Sequence, residues 1–151
     1  MPSRVPLAKA SNAELPIGVL DRRLAIGQSA WVTATQTANV ALVRRALSSE
    51  SDAVAENVLW HFLSPIPELV AHFEGRDQTM TDVPKLLDDL TGGTFSKRVV
   101  DVWPIGNDLV VAHVEVEMAI DGIHHAGSSV VVYRVADGMV VEGFDIPSAS
   151  I

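Results

Sequence analysis

The chain has 151 residues, enough for one domain that buries its own core, and its 48% hydrophobic content says globular and excludes a disordered chain. Nineteen acids against eleven Lys and Arg leave a net charge of −8, and the basic residues form no stripe, so nucleic acid and anionic membranes are poor partners. The absence of cysteine removes disulfides and thiolate metal sites.

Residues 1–15 read as a loose arm ahead of a single domain spanning 1–151. They lack the apolar core of a secretory signal, and no later run has the length of a membrane span, so a soluble cytoplasmic protein is expected. A short helix is predicted from Pro16 to Ile26, with Pro16 in its first turn and Gly27 at its stop. The Thr-rich stretch Trp31 to Asn39 has poor helix propensity, and Asn39 is placed to cap a better helix whose Val40, Val43 and Leu47 share a face. Ser51 or Asp52 then starts a further helical turn through Glu56.

A first strand is expected over 57–63, with Val58, Trp60 and Phe62 on one face and Leu59, His61 and Leu63 on the other. His72 to Asp77 reads as a short strand and turn. Asp82 can cap a helix that turns Leu86, Leu87 and Leu90 inward and stops at Gly92-Gly93. Phe95 to Trp103 opens the final sheet.

The strongest pattern follows. Residues 109–120 alternate, with Val110, Ala112, Val114, Val116 and Met118 on one face and Val111, His113, Glu115 and Glu117 on the other. Asp121-Gly122 suits a two-residue hairpin, because both central positions need positive φ, which Asp tolerates and Gly adopts freely. It pairs Ile120 with Ile123, and so Met118 with His125, Val116 with Gly127 and Val114 with Ser129. At Ala136-Asp137-Gly138 a three-residue loop pairs Val135 with Met139 and sets Asp145 inward, opposite Ser129, whereas a two-residue turn would turn Asp145 out. Small residues on the inner face, Gly127, Ser129 and Gly143, are expected to leave room for a ligand.

The order of these elements, the strand VLWHF, the step Phe73-x-Gly75-Arg76-Asp77 and the ending EGFDIPS resemble the nuclear transport factor 2-like superfamily, in particular its SnoaL-like branch of polyketide cyclases, near ketosteroid isomerases. The resemblance covers roughly residues 40–147. It implies a cone-shaped α+β barrel in which a curved, mostly antiparallel mixed sheet wraps on N-terminal helices around a pocket. It also implies that the first strand lies beside the last, bringing Trp60 and Phe62 toward Asp145. The carboxylate base of ketosteroid isomerases is matched by Phe62 and their oxyanion-side acid by Val131. The Arg and Asp of limonene-epoxide hydrolases are matched by Val114 and Val116. Both activities are therefore disfavoured, and the matching ionisable residue is Asp145.

Asp145 is the candidate catalytic acid or base, since apolar walls raise a carboxyl pKa toward neutrality. The competing reading is a strand-end Asp that faces water. Trp60, Phe62, Val114, Val116, His125, Ser129, Val131 and Tyr133 are the candidate ligand-binding residues. His125 lies too far along the sheet to partner Asp145, on the order of 13 Å at about 3.3 Å per residue. No spacing suggests a metal, and no cofactor is expected. Two functions remain open: an isomerase, cyclase or dehydratase acting on a small hydrophobic carbonyl or polyketide-like compound, and a noncatalytic binding or dimerisation module. An apolar outer sheet face with Val111, Val130, Val132 and Phe144 suggests a homodimer.

Overall fold

The computed structural model describes residues 32–64 and 70–148. The expectations for residues 1–31 lie outside these. The compact unit begins at Ala34. Its elements are α1 (Ala34–Leu47), a 3-10 turn (Ser51–Ala53), β1 (Val54–Phe62), β2 (Ala71–Glu74), a π turn (Gln78–Asp82), α2 (Val83–Thr91), β3 (Ser96–Ile105), β4 (Leu109–Ile120), β5 (Ile123–Ala136) and β6 (Met139–Pro147). The strands form one sheet in the order β2-β1-β6-β5-β4-β3. Only β1 and β6 run parallel; the other neighbours are antiparallel. The sheet curls but stays open, with β2 and β3 as edges, so it is a cone and not a closed barrel. No helix among the described residues is long and apolar enough to cross a membrane.

The core joins α1 to the inner sheet face. Leu42, Val43, Ala46 and Leu47 pack with Val54, Val58, Val102, Val110, Ala112, Val114, Val131, Tyr133, Val135 and Val140. Val43, Val58, Val110 and Val140 are fully buried, each worth roughly 1.5–3 kcal/mol relative to exposure.

Helix α1 starts well before Asn39, across the Thr-rich stretch expected to be non-helical. Tertiary bonds outweigh the weak propensity: Gln36 Nε2 donates to the Gly106 carbonyl at 2.9 Å and Asn39 Nδ2 to the Asn107 carbonyl at 2.9 Å. Asn39 is therefore a buried clamp on the β3–β4 turn, not a cap. Strand β1 starts at Val54, which shortens the turn expected through Glu56 to Ser51–Ala53. Asp82 has helical backbone angles and makes no cap bond, because the π turn feeds directly into α2. Leu87 points inward, but Leu86 and Leu90 are 64% and 59% exposed, correcting the expected inward face.

The Asp121-Gly122 hairpin has the expected register from Ile120 opposite Ile123 through Val114 opposite Ser129, with φ of 52° and 77° at its two turn residues. The next hairpin differs. Its turn is the two-residue Asp137-Gly138, closed by Ala136 opposite Met139. By itself this would send Asp145 outward. A β-bulge intervenes: Val135 pairs with Val140 but Arg134 with Glu142, so Val141 is the extra residue. The additional residue flips the rest of β6 back. Asp145 consequently faces inward opposite Val131, and Ser129 is opposite Pro147.

Candidate functional site

The inner face, α1, the π turn and α2 enclose a cavity of about 400 Å³. Val114, Val116 and Val131 supply its sheet wall, and Ala46, Leu47, Met80, Val83 and Leu87 face it from the helical side. Trp60 and Tyr133 stand edge to face, with ring centroids 5.7 Å apart. Ser49, Pro84, Ser96 and Lys97 line the cavity while being exposed residues, which marks its mouth.

Gly143 has a different use from the one expected. In the parallel β1–β6 pair it sits opposite Trp60, and the Trp60 ring lies over it. A Cβ there would be 2.2 Å from Trp60 Cζ3 and 2.4 Å from Cε3. The missing side-chain volume is thus occupied by the indole, which Gly143 seats against the wall.

Of the expected binding residues, Trp60, Val114, Val116, Ser129, Val131 and Tyr133 line this cavity together with Asp145. Phe62 and His125 do not. Phe62 is opposite Asp145 in the β1–β6 register but is not part of the wall. His125 is near the far hairpin, six residues along β5 from Val131, the partner of Asp145; this is on the order of 20 Å at about 3.3 Å per residue.

Burial raises the Asp145 carboxyl above its ordinary pKa, opposed by a side-chain hydrogen bond from Ser129 and by attraction to Lys97. Burial, and secondarily the Asp145 charge, pushes the Tyr133 phenol far up, so it stays protonated. Two buried side-chain oxygens have no hydrogen-bond partner among the described residues, Asp145 Oδ1 and Thr79 Oγ1, and both residues line this cavity. Native interiors seldom leave such atoms unpaired without a reason. No group of three His, Asp or Glu side chains among the described residues is placed to hold a metal.

Sequence reasoning missed Thr79 and Lys97. Lys97 enters because of a second bulge, between Val99 and Asp101 on β3, which puts Val99 opposite Val114 and Lys97 opposite Val116. Simple alternation outward from buried Val102 would have turned Lys97 away.

The opposite sheet face carries a row across all six strands, Trp103, Val111, Val132, Phe144, His61 and His72, each opposite the next. His61 stacks on Phe144, meets His72 with Nδ1 atoms 2.8 Å apart, and contacts Glu142 Oε2 through Nε2 at 2.8 Å. Arg134 holds the other Glu142 oxygen at 3.0 Å.

This sheet order, its bulged strands and a cavity closed by helices define the nuclear transport factor 2-like fold. Among solved structures it is similar to Bal32a from a soil-derived mobile gene cassette (TM-score 0.67, 18% identity, 76% of this chain and 92% of that one). It is also similar to a putative SnoaL-like polyketide cyclase from Jannaschia sp. CCS1 (TM-score 0.63, 18% identity, 77% and 89%). A third likeness is to TerC co-crystallised with polyporic acid (TM-score 0.61, 16% identity, 74% and 92%). No family model and no curated protein matches the sequence.

Proposed function

We propose that the cavity binds a small hydrophobic carbonyl or polyketide-like compound and that Asp145 exchanges a proton with it, in an isomerisation, cyclisation or dehydration. The observation that carries this reading is the pair of orphaned buried oxygens, Asp145 Oδ1 and Thr79 Oγ1, facing one largely apolar cavity. A ligand carrying one acceptor for the Thr79 hydroxyl and one exchangeable proton for Asp145 satisfies both, and the Trp60–Tyr133 wall takes its apolar body. Burial sets the Asp145 carboxyl closer to the operating pH of an acid-base catalyst. The likeness to a putative polyketide cyclase and to a protein that holds polyporic acid supports the ligand class.

The test is a panel of hydrophobic ketones and cyclic diketones, followed by tryptophan fluorescence for binding and by NMR for turnover. Asp145→Asn is expected to keep binding within a few-fold and to lose turnover by roughly 100-fold or more. Binding without turnover in the wild type supports the second reading, a noncatalytic binding module. The small number of ionisable groups around the cavity favours that reading.

The protein is further proposed to form a homodimer through the outer sheet face. Trp103, Val130 and Ile146 on that face are 36%, 41% and 43% exposed, an apolar surface that pairing would cover. Light scattering at micromolar concentration is expected to give twice the chain mass, and Val130→Arg to give the monomer.

A further inference from the structure

Resting on the acid-base reading, we propose that Lys97 is the counter-cation for an enolate formed in this cavity, which makes the substrate a carbon acid: a ketone or 1,3-dicarbonyl compound with an acidic C–H beside its carbonyl. Three observations carry it. The β3 bulge brings Lys97 onto the cavity-lining face, where it is the cationic residue among the lining side chains. Lys97 and Asp145 attract each other across that space, yet no ion pair or hydrogen bond joins them among the described residues. One carboxylate oxygen of Asp145 is also left without a partner. An opposite-charge pair held apart at a cavity, with its acceptor unsatisfied, suits a molecule that passes charge from one to the other.

The charge balance follows. Asp145 removes the proton, so the ligand C–H bond breaks, an O–H bond forms on the carboxyl, and the electron pair moves through the C–C bond onto the carbonyl oxygen. The negative charge leaves Asp145 and appears on the ligand oxygen, still opposite the same ammonium. Net charge in the cavity is unchanged throughout. Without Lys97 the enolate would meet only neutral donors, the Thr79 and Tyr133 hydroxyls, among valine and tryptophan, with no cation to balance its charge. Return of the proton from Asp145 to a second carbon completes an isomerisation; in a cyclisation the enolate carbon attacks another carbonyl of the same molecule, the C=O π pair moves onto oxygen, and Asp145 returns its proton to that alkoxide. Neither needs an added reactant. Burial lowers the Lys97 ammonium pKa and Asp145 opposes this, so the cation is lost on the alkaline side earlier than for a free lysine.

The experiment uses the full chain and 2-tetralone, following exchange of its α-protons for deuterium by NMR, with binding measured in parallel by tryptophan fluorescence. Lys97→Met is expected to slow enzyme-dependent exchange roughly 10- to 100-fold while changing 2-tetralone affinity less than about 3-fold. Lys97→Arg is expected to retain most of the rate and to move the alkaline limb of the pH profile upward, which a structural role for the side chain would not do. Exchange unchanged in Lys97→Met, or an alkaline limb that stays in place in Lys97→Arg, overturns the Lys97 role alone. Exchange that survives in Asp145→Asn, or binding with no exchange in the wild type, overturns the acid-base reading and the Lys97 role with it. Because Lys97 stands at the cavity mouth on an edge strand, its stem against the lining and its end within reach of solvent, far-UV circular dichroism and melting of both variants are expected to match the wild type.

Discussion

Replacing Gly143 by Ala adds one methyl group and tests whether that glycine seats Trp60. The new Cβ would be 2.2, 2.4 and 2.9 Å from three atoms of the indole six-membered ring. Carbon contacts are comfortable at about 3.5–4.0 Å, so the ring must retreat by more than about 1 Å. A shift of that size is expected to disturb its edge contact with Tyr133, at 5.7 Å between centroids. Overpacking costs about 1–3 kcal/mol and the lost aromatic pair about 0.5–1.5, giving about 1.5–4.5 kcal/mol in total. For a domain of this size that lowers Tm by on the order of 10 °C. Urea denaturation gives the free energy, and tryptophan fluorescence reports the displaced ring. The decisive measurement is a double-mutant cycle: in a Trp60→Leu background the same glycine substitution is expected to cost less than about 1 kcal/mol. Equal cost in both backgrounds, or a cost below about 0.5 kcal/mol in the wild type, would refute the claim that Gly143 exists to receive the indole.

Other expectations follow from the same contacts. The Asp145 pKa is raised in the folded state, so its contribution is fully present below the unfolded value and is lost as pH rises through the folded one. Asp145→Asn is therefore expected to be more stable than the wild type at pH 7, with the difference closing near pH 3 in thermal melts. Glu142 behaves oppositely: the His61 hydrogen bond, helped by Arg134, lowers its pKa, so its stabilisation exists above the unfolded value and fades as pH falls through the folded one. Glu142→Gln should cost about 1–2 kcal/mol at pH 7 and much less at pH 3, read from urea midpoints. Asn39→Ala, which leaves the Asn107 carbonyl without its 2.9 Å donor, is expected to cost about 1–3 kcal/mol. Leu86→Ala, on the exposed side of α2, is expected to stay within about 0.5 kcal/mol of the wild type in a monomeric sample.

The sequence makes the strands legible where alternation and turn chemistry agree. Asp121-Gly122 between two alternating runs left one register for β4 and β5, and the structure has it throughout. Helix α1 was half legible. Its apolar face shows in Val43 and Leu47, but its first turns are held by Gln36 and Asn39 reaching a turn that lies far along the chain. Thr-rich propensity carries no trace of that contact. Leu86 and Leu90 mislead for a related reason: apolar spacing on a short helix says that one side is buried, but the π turn before α2 sets which side.

The two charged groups of the cavity were hidden more deeply, by the same device on both sides. Asp145 faces inward because Val141 is inserted in β6, and Lys97 because the β3 register slips between Val99 and Asp101. Neither bulge contains Gly or Pro; each falls on a Val-Val pair, Val99-Val100 and Val140-Val141, and two like residues in succession do not say which one is inserted. On the first of these, two expectations erred in compensating directions: the turn is one residue shorter than expected and the strand one residue longer, so the inward face of Asp145 emerged from a register that does not exist. On the second nothing compensates, and simple alternation outward from Val102 would turn the lysine away from the cavity. A bulge changes the face of everything beyond it at the cost of one local ladder irregularity, which lets a sheet built for an apolar core admit a charge at one chosen position. The two charges are admitted on strands that are not neighbours, β3 and β6, with the valines of β4 and β5 between them. The strand order itself therefore sets the carboxyl and the ammonium toward opposite ends of one apolar wall, with the cavity in front of both.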